Sequence, residues 1–188
     1  MNELEAHKKS TSLLEWSAVL LNLGFTFLYL KQNHWAFALG IIGPIPIAII
    51  SWNKKLYADL ILQLLYVLLS IWGAFQLGQS WHSIHFSVTI HLLGCLSTVL
   101  LGLSFGYFLK KKTEAARPYW DSLLTAFSIW ATFLMMQGCH ENWLYFIVID
   151  FFCILLFLDR KLLVLGGLYL FYLLLALEGY FQWGWITN

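Results

Sequence analysis

Charged side chains are scarce in this 188-residue chain. Only 11% of its residues are Asp, Glu, Lys or Arg, whereas a soluble domain carries about 25%. Because 60% of the residues are hydrophobic, the chain has too little charge to cover a water-facing surface. The composition therefore excludes an ordinary soluble domain and predicts a membrane protein.

The motifs of several functional classes are also missing. The three cysteines form no CxxC spacing, and an odd number cannot all pair with one another. There is no His pair at i, i+4, no HExxH motif and no GxxxxGK[ST] loop, so we expect no metal site, no cofactor and no use of ATP. No lysine lies in the middle of an apolar run, which excludes a retinal receptor. The net charge of +1 predicts no nucleic-acid partner.

Long apolar runs dominate what is present. A helix needs about 20 apolar residues to cross a bilayer, whereas a membrane β-strand would alternate apolar and polar residues over about ten. The runs do not alternate, so we expect an all-α integral membrane protein with seven transmembrane helices. The predicted spans are Leu13–Leu30, Trp35–Trp52, Leu56–Leu77, Phe86–Leu109, Trp120–Met136, Trp143–Leu158 and Leu162–Trp183.

Positive charge is distributed unequally between the ends of these spans. Of the 11 Lys and Arg residues, all but Lys31 fall in the N-terminal tail, residues 1–12, or in the second, fourth and sixth loops. These segments lie on one side of a seven-span chain, and basic loops face the cytoplasm. We therefore expect a multi-pass protein of the bacterial inner membrane with a cytoplasmic N-terminus and an outer C-terminus.

The chain repeats itself at an offset of 106 residues. Three spans leave a chain on the opposite side of the membrane, so the fourth span returns it before the pattern starts again. The predicted fold is a 3+1+3 parallel repeat as in SWEET-type transporters, which bind substrate between repeats near the midplane. A single domain, 13–185, would contain repeat one at 13–77, a linker helix at 86–109 and repeat two at 120–183. Matching residues include Thr26 and Thr132, Lys55 and Lys161, Tyr66 and Tyr172, and Gly73-x-Phe75-Gln76 and Gly179-x-Phe181-Gln182.

Polar residues inside the spans are the candidates for a substrate site, because an ionisable group at mid-bilayer costs about 2.5–3.5 kcal/mol. Asp150 lies in the middle of the sixth span. The third and seventh spans carry equivalent stripes, which suit either helix packing or a pocket lined from both repeats. We favour the pocket. The stripes are Gln63, Tyr66, Ser70 and Gly73 in repeat one, and Tyr169, Tyr172, Ala176 and Gly179 in repeat two.

Other polar residues are predicted to have structural roles. Asp59 and Asp121 lie near cytoplasmic helix ends and are expected to be solvated or to pair with Lys55 and Arg117, their neighbours in sequence. A lone membrane histidine such as His91 is more often a packing residue than a ligand. Glu178 is near the outer surface and is either interfacial or part of the site.

These residues also carry a family resemblance. The chain resembles the PnuC family of vitamin transporters over roughly residues 13–185. The resemblance implies a 3+1+3 array, a homotrimer and facilitated diffusion, with the vitamin trapped by a cytosolic kinase. Members carry nicotinamide riboside, thiamine or riboflavin. The segments that resemble the family are Leu56-Tyr57-Ala58-Asp59 with Gln63, Tyr119-Trp120-Asp121-Ser122, Glu141-Asn142-Trp143 with Asp150, and Tyr169 followed by Gly179 and Trp183.

The predicted function is therefore uptake of a small vitamin by a protein that is not an enzyme. Nicotinamide riboside follows from the family and thiamine is the alternative, because both carry an aromatic cation that aromatic faces and a carboxylate attract. An intramembrane hydrolase using Asp150 and Glu178, or an accessory membrane subunit, are the non-transporter alternatives. The candidate substrate-binding residues are Gln63, Tyr66, Ser70, Asn142, Trp143, Asp150, Tyr169 and Tyr172.

Overall fold

The computed structural model describes residues 3–30, 33–75 and 85–183. Within these ranges every regular element is an α-helix, which confirms the all-α membrane fold. The helices are α1 (Glu3–Leu30), α2 (Trp35–Ile42), α3 (Pro44–Asn53), α4 (Tyr57–Phe75), α5 (Val88–Lys112), α6 (Pro118–Met136), α7 (Asn142–Asp159) and α8 (Leu163–Phe181).

The helices cover the predicted spans with two differences, and one predicted end lies outside the described residues. Helix α1 begins at Glu3, so the segment assigned to a tail continues the first helix beyond its apolar part, Leu13–Leu28. The predicted end of the third span at Leu77 lies outside the described residues, as do Gln76 of the repeat, Lys31 and the domain end at 185. The second span is divided into α2 and α3.

The division of the second span follows from proline. Pro44 and Pro46 have no amide hydrogen, so the helical hydrogen-bond ladder is interrupted there. Gly43, between α2 and α3, keeps helical angles of φ −61° and ψ −43°, and Trp35–Asn53 therefore runs as one span. The Asn22 side chain of α1 donates to the Gly43 carbonyl at 2.9 Å. Counted in this way, the eight helices of the described residues make seven spans.

Hydropathy separates these spans into two kinds. Five described segments are long and apolar enough to cross a membrane: Trp35–Asn53, Tyr57–Phe75, Val88–Lys112, Asn142–Asp159 and Leu163–Phe181. Helix α6 is more polar because one of its faces is built of small polar residues that are buried against its neighbours, as is common where membrane helices pack closely. These residues are Asp121, Ser122, Thr125, Ser128 and Thr132.

Helix packing shows the parallel repeat directly. In repeat one, the first span (α1) packs on the second (α2 and α3), and the second packs on the third (α4). In repeat two, α6 packs on α7 and α7 packs on α8 in the same order. The two triplets then meet twice, since α4 contacts α6 and α8 contacts α1. Helix α5 packs mainly on α6 and stands outside this ring. The predicted 3+1+3 array is therefore confirmed.

The turns reproduce the 106-residue offset in detail. Lys55 and Lys161 both have left-handed backbones, with φ of 59° and 58°. The Leu56 amide donates to the Ser51 carbonyl at 2.8 Å, and Leu162 donates to Phe157 at 2.9 Å. At the opposite ends of the spans, Asn33 donates to Leu28 and Cys139 donates to Leu134, at 2.9 and 3.0 Å.

Three basic loops lie together at one end of the bundle, and we call this end the basic face (residues 53–56, 113–117 and 159–162). The Ala116 amide donates to the Lys55 carbonyl at 3.0 Å, and the Arg160 guanidinium reaches the Lys54 carbonyl at 3.2 Å. Arg117 donates from Nε and Nη2 to the two carboxylate oxygens of Asp159, at 2.9 and 2.8 Å.

The ion pairs of this face correct one expectation. Lys55 pairs with Glu114 and Arg117 pairs with Asp159, so neither cation pairs with Asp59 or Asp121. Both ion pairs are exposed, and such pairs contribute little to stability.

Candidate functional site

The two repeats meet through hydroxyl groups at mid-membrane. Tyr66 of α4 lies beside Thr132 of α6, and Tyr172 of α8 lies beside Thr26 of α1. These contacts are equivalent at the 106-residue offset, and each joins one repeat to the other. Asp150 of α7 is within electrostatic range of both tyrosines. Tyr66, Tyr172 and Asp150 therefore converge between the repeats.

Each of these three residues lies near the midpoint of its helix. Asp150 is only 5% exposed, and it forms no salt bridge with any described residue. A carboxyl group buried at this depth without a cation beside it is costly. A cationic guest would supply the missing partner and favour the ionised form of this carboxyl group.

The repeat-one side of this region is polar. Asp59 accepts hydrogen bonds from Ser51 and from the Gln63 amide, the latter at 3.1 Å. Asp59 and Gln63 are 6% and 2% exposed, so the expectation that Asp59 is solvated was wrong. The hydrogen bonds from Ser51 and Gln63 satisfy the buried carboxylate in place of water.

The repeat-two side is aromatic. Tyr169 stacks on Phe157, with ring centroids 5.0 Å apart and planes at 23°. It also meets Tyr172 edge-on, at 5.8 Å and 84°. Such ring pairs are favourable beyond the area they bury, so the arrangement of these rings is preformed. We call Asp59, Gln63, Tyr66, Asp150, Tyr169 and Tyr172 the central cluster.

Two acidic residues bind the first-turn amides of the third span in each repeat, which is α4 in repeat one and α8 in repeat two. The Asp121 carboxylate of α6 accepts from the Ala58 and Asp59 amides of α4, at 2.9 and 3.0 Å. Glu15 of α1 meets the Val164 amide of α8 in the same way. The first amides of a helix have no partner within it and carry partial positive charge, which a carboxylate satisfies. We call these contacts the carboxylate caps.

The sequence interpretation missed both caps. Glu15 was not singled out, and Asp121 was expected to be solvated or paired with Arg117, which the structure contradicts. Glu15 and Asp121 are 7% and 1% exposed. They are related by the 106-residue offset, so the repeat itself carried the signal that could have found them.

The outer parts of the two stripes pack within their own repeats. A Cβ added to Gly73 would lie 2.5 Å from the Phe37 ring of α2, and one added to Gly179 would lie 2.5 Å from the Trp143 ring of α7. A Cβ added to Gly40 would likewise lie 2.5 Å from the Ser70 hydroxyl oxygen. Close helix packing accounts for these contacts, which was the alternative interpretation of the stripes.

The remaining predicted site residue lies toward the outer end. Asn142 is the first residue of α7, about 12 Å along the helix from Asp150 at 1.5 Å per residue. Its amide nitrogen donates to the Cys139 carbonyl at 2.5 Å, and its amide oxygen is buried without a hydrogen-bond partner. The structure thus brings together five of the eight predicted residues and separates Ser70, Asn142 and Trp143 from them.

Two grooves open between the described helices, and one of them reaches the central cluster. A groove of about 860 Å³ runs between α5, α6 and α7 and is lined mainly by apolar side chains. His91, Glu141 and Tyr145 are the polar groups at its outer end. A smaller groove of about 260 Å³ lies between α3 and α4, and Gln63 reaches it.

The fold and the central cluster define the class of protein. A parallel array of membrane helices with a polar cluster between its repeats is the architecture of a multi-pass membrane transporter, and the chain is a transporter rather than an enzyme. Its residues 12–184 match the family model described as nicotinamide mononucleotide transporter. The chain belongs to this family.

Individual proteins agree with the family match. The chain is 24% identical to the nicotinamide riboside transporter PnuC of Escherichia coli (strain K12), with 88% of this chain and 81% of the relative aligned. The PnuC protein of Shigella flexneri matches equally well. The solved structure described as the vitamin B3 transporter PnuC superposes with a TM-score of 0.74 and 22% identity, covering 94% of this chain and 82% of that one. At this identity, the superposition shows the shared fold.

Proposed function

We propose that this transporter carries nicotinamide riboside into the bacterial cell by facilitated diffusion. The observation that carries the proposal is the central cluster, in which Asp150 lies within electrostatic range of Tyr66, Tyr169 and Tyr172 and Gln63 donates a hydrogen bond to Asp59. Nicotinamide riboside joins a flat aromatic cation to a polar sugar. Tyr169 and Tyr172 suit the ring, Asp150 suits its charge, and Gln63 suits the hydroxyl groups. The name of the Escherichia coli relative supports the same substrate.

Thiamine is the second candidate, since it is also an aromatic cation of similar size. Riboflavin is larger and uncharged, so the Asp150 carboxylate would contribute nothing to its binding. Titration of purified protein with the three vitamins tests the ranking. Tightest binding of riboflavin would contradict the proposal.

Substitutions test the site itself. Gln63→Ala and Tyr169→Leu should each weaken binding, and loss of an aromatic–cation contact costs about 0.5–2 kcal/mol, roughly two- to thirtyfold in affinity. Ser70→Ala is the matched control, because Ser70 lies on the same helix as Gln63 but packs on Gly40. Equal losses in all three variants would indicate a general packing defect instead of a site.

The transport mode follows from the few charges available. A proton-driven carrier uses closely spaced acids and histidines as a relay, whereas Asp150 stands mid-membrane beside tyrosines. We expect purified protein in liposomes to move the vitamin only down its gradient, with retention in the cell left to a cytosolic kinase. Accumulation driven by an imposed proton gradient in kinase-free vesicles would overturn this mode.

The orientation and assembly complete the proposal. The basic face supports a cytoplasmic location for the three loops that form it, with the C-terminus outside. A reporter that is active only outside the cytoplasm should therefore be active when fused after Asn188. A homotrimer is expected from the family resemblance, and light scattering of the detergent complex measures it.

A further inference from the structure

A second polar cluster lies at the outer end of the bundle, away from the central cluster. His91 is near the start of α5, and Cys139 and Glu141 are in the turn before α7. One ring nitrogen of His91, the Cys139 sulfur and a Glu141 carboxylate oxygen all lie within 4.8 Å of one another. We call these three residues the outer cluster.

The imidazole of His91 is already oriented. Its Nδ1 atom is 3.1 Å from the Tyr145 hydroxyl, and the two rings stack at 5.9 Å. The Nε2 atom is buried and has no hydrogen-bond partner. A histidine that binds a metal typically has its second ring nitrogen fixed by such a hydrogen bond, and this arrangement leaves Nε2 as the available nitrogen.

The other two groups complete the donor set. Cys139 is fully buried, and its sulfur lies 3.0 Å from Glu141 Oε2. The hydrogen bond from Cys139 is the largest cause that lowers the pKa of Glu141, and the nearby His91 and His85 lower it further. A fourth ligand would come from outside this group of three residues, from a water molecule or from a side chain that moves.

Thiolate, imidazole and carboxylate are together the ligands of zinc, which binds them at about 2.0–2.3 Å in a tetrahedron. Ligands at those distances are about 3.5 Å apart, so the outer cluster needs only a small contraction to close around an ion. Metal binding would also satisfy the buried Nε2 atom, which is otherwise costly to bury. We propose that His91, Cys139 and Glu141 bind a zinc ion at the outer end of the bundle.

Such an ion would tie two parts of the molecule together. The linker helix α5 packs mainly on α6, and the zinc would join its outer end to the turn that precedes α7. His91 and Glu141 also line the groove between α5, α6 and α7. The zinc would therefore close the outer end of that groove and is independent of the vitamin site.

The test uses the full chain, purified without a polyhistidine tag and treated with a chelator. Competition with a chromophoric zinc chelator should show one zinc per chain, and magnesium should not compete. His91→Gln and Cys139→Ser should each weaken zinc binding more than about 100-fold. Tyr145→Phe, which removes the orienting hydrogen bond, should weaken it about 10- to 100-fold.

Two controls separate the outer cluster from nonspecific binding. His140→Gln changes a histidine that stacks on Tyr180 at 5.4 Å, and Cys153→Ser changes a buried thiol within α7, outside the cluster. Both variants should bind zinc as the unchanged protein does. Equal losses in the controls and the cluster variants would overturn the proposal.

A second measurement does not depend on the folding of any variant. Cobalt(II) added to the unchanged protein should give the charge-transfer absorbance of a thiolate–cobalt bond, and zinc should abolish it. Zinc should also raise the melting temperature, because it binds only the folded state. Absence of the thiolate absorbance would overturn the proposal, whatever the variants do.

Discussion

The two repeats use the same three buried positions for different chemistry. In repeat one these positions form a hydrogen-bonded polar group, and in repeat two they are apolar, with two aromatic rings stacked 5.0 Å apart. They are Ser51, Asp59 and Gln63 in repeat one, and Phe157, Leu165 and Tyr169 in repeat two.

This difference shows how a repeated fold can bind an unsymmetrical molecule. The packing of the helices and the left-handed turns at Lys55 and Lys161 are equivalent in both repeats, so the backbone has stayed symmetrical. The inner surfaces have not. One polar side and one aromatic side give the proposed site a chemical direction, which suits a ligand with a sugar at one end and an aromatic ring at the other.

The largest expected effect comes from removing the carboxylate caps. Asp121→Ala leaves the Ala58 and Asp59 amides without partners, and each hydrogen bond to a charged group is worth about 1.5–3 kcal/mol. We therefore expect a loss of about 3–6 kcal/mol in the free energy of unfolding, measured in detergent. Glu15→Ala removes a contact to one amide, that of Val164, and should cost about half as much.

Asp121→Asn is the control for this prediction. It keeps an oxygen acceptor of similar shape and loses only the charge, so its stability should be intermediate. If Asp121→Ala lowered the free energy of unfolding less than Glu15→Ala does, the number of capped amides would not determine the stability that each cap provides.

An intermediate effect is expected from the glycine pairs. Gly179→Ala would place its Cβ within 2.8 Å of three ring atoms of Trp143, whereas at Gly73 only one ring atom of Phe37 lies closer than 3 Å. Overpacking typically costs about 1–3 kcal/mol, and Gly179→Ala should lie at the upper end of that range. Thermal unfolding in detergent measures the difference.

Gly167 provides the matched control on the same helix as Gly179. Nothing lies within 4 Å of a Cβ added there. Gly167→Ala should therefore stabilise α8 by about 0.5–1 kcal/mol, because alanine loses less backbone entropy in a helix. Destabilisation by Gly167→Ala would indicate that any side chain added to α8 is harmful, and the Trp143 contact would not be the cause.

The smallest expected effect concerns the tyrosine–threonine contacts, which are equivalent in the two repeats. Tyr66→Phe and Tyr172→Phe each remove one hydroxyl that lies beside a threonine of the other repeat. The Thr132 hydroxyl has no hydrogen-bond partner within geometric limits among the described residues. Each contact should therefore contribute no more than a neutral hydrogen bond does, about 0.5–1.5 kcal/mol, and the two variants should lose similar, small amounts of stability. A loss confined to Tyr66→Phe would mean that only one of the two contacts holds the repeats together.

The spans and the repeat were predictable because both can be found from the order of residues along the chain, without knowledge of how the helices pack. Apolar length and hydropathy decide where a helix crosses the bilayer, and the 106-residue offset follows from simple comparison of the chain with itself. Helix α1 extends before the predicted first span, because its polar first residues mark where the helix leaves the membrane and not where the helix begins. The interruption at Gly43 arises because Pro44 and Pro46 have no amide hydrogen. The length of an apolar run gives no information about this.

The candidate site was harder to predict, because its residues meet only after the helices pack. Gln63 and Ser70 share one stripe in sequence, yet Gln63 binds Asp59 whereas Ser70 faces Gly40. The outer cluster joins His91 to a turn far along the chain and has no sequence motif. The caps at Glu15 and Asp121 act on other helices, so their roles are tertiary as well.

The left-handed turns at Lys55 and Lys161 have a further consequence. A residue with a Cβ in this conformation costs about 1–2 kcal/mol relative to the right-handed form, a penalty that glycine avoids. Lys55→Gly and Lys161→Gly should therefore make the folded protein more stable. Each would also remove a positive charge from the basic face, which supports the proposed orientation. At the same turn in both repeats, the chain has a residue that is poor for the folded backbone and, under the proposed orientation, useful during insertion, so stability and topology would make opposing demands on one position.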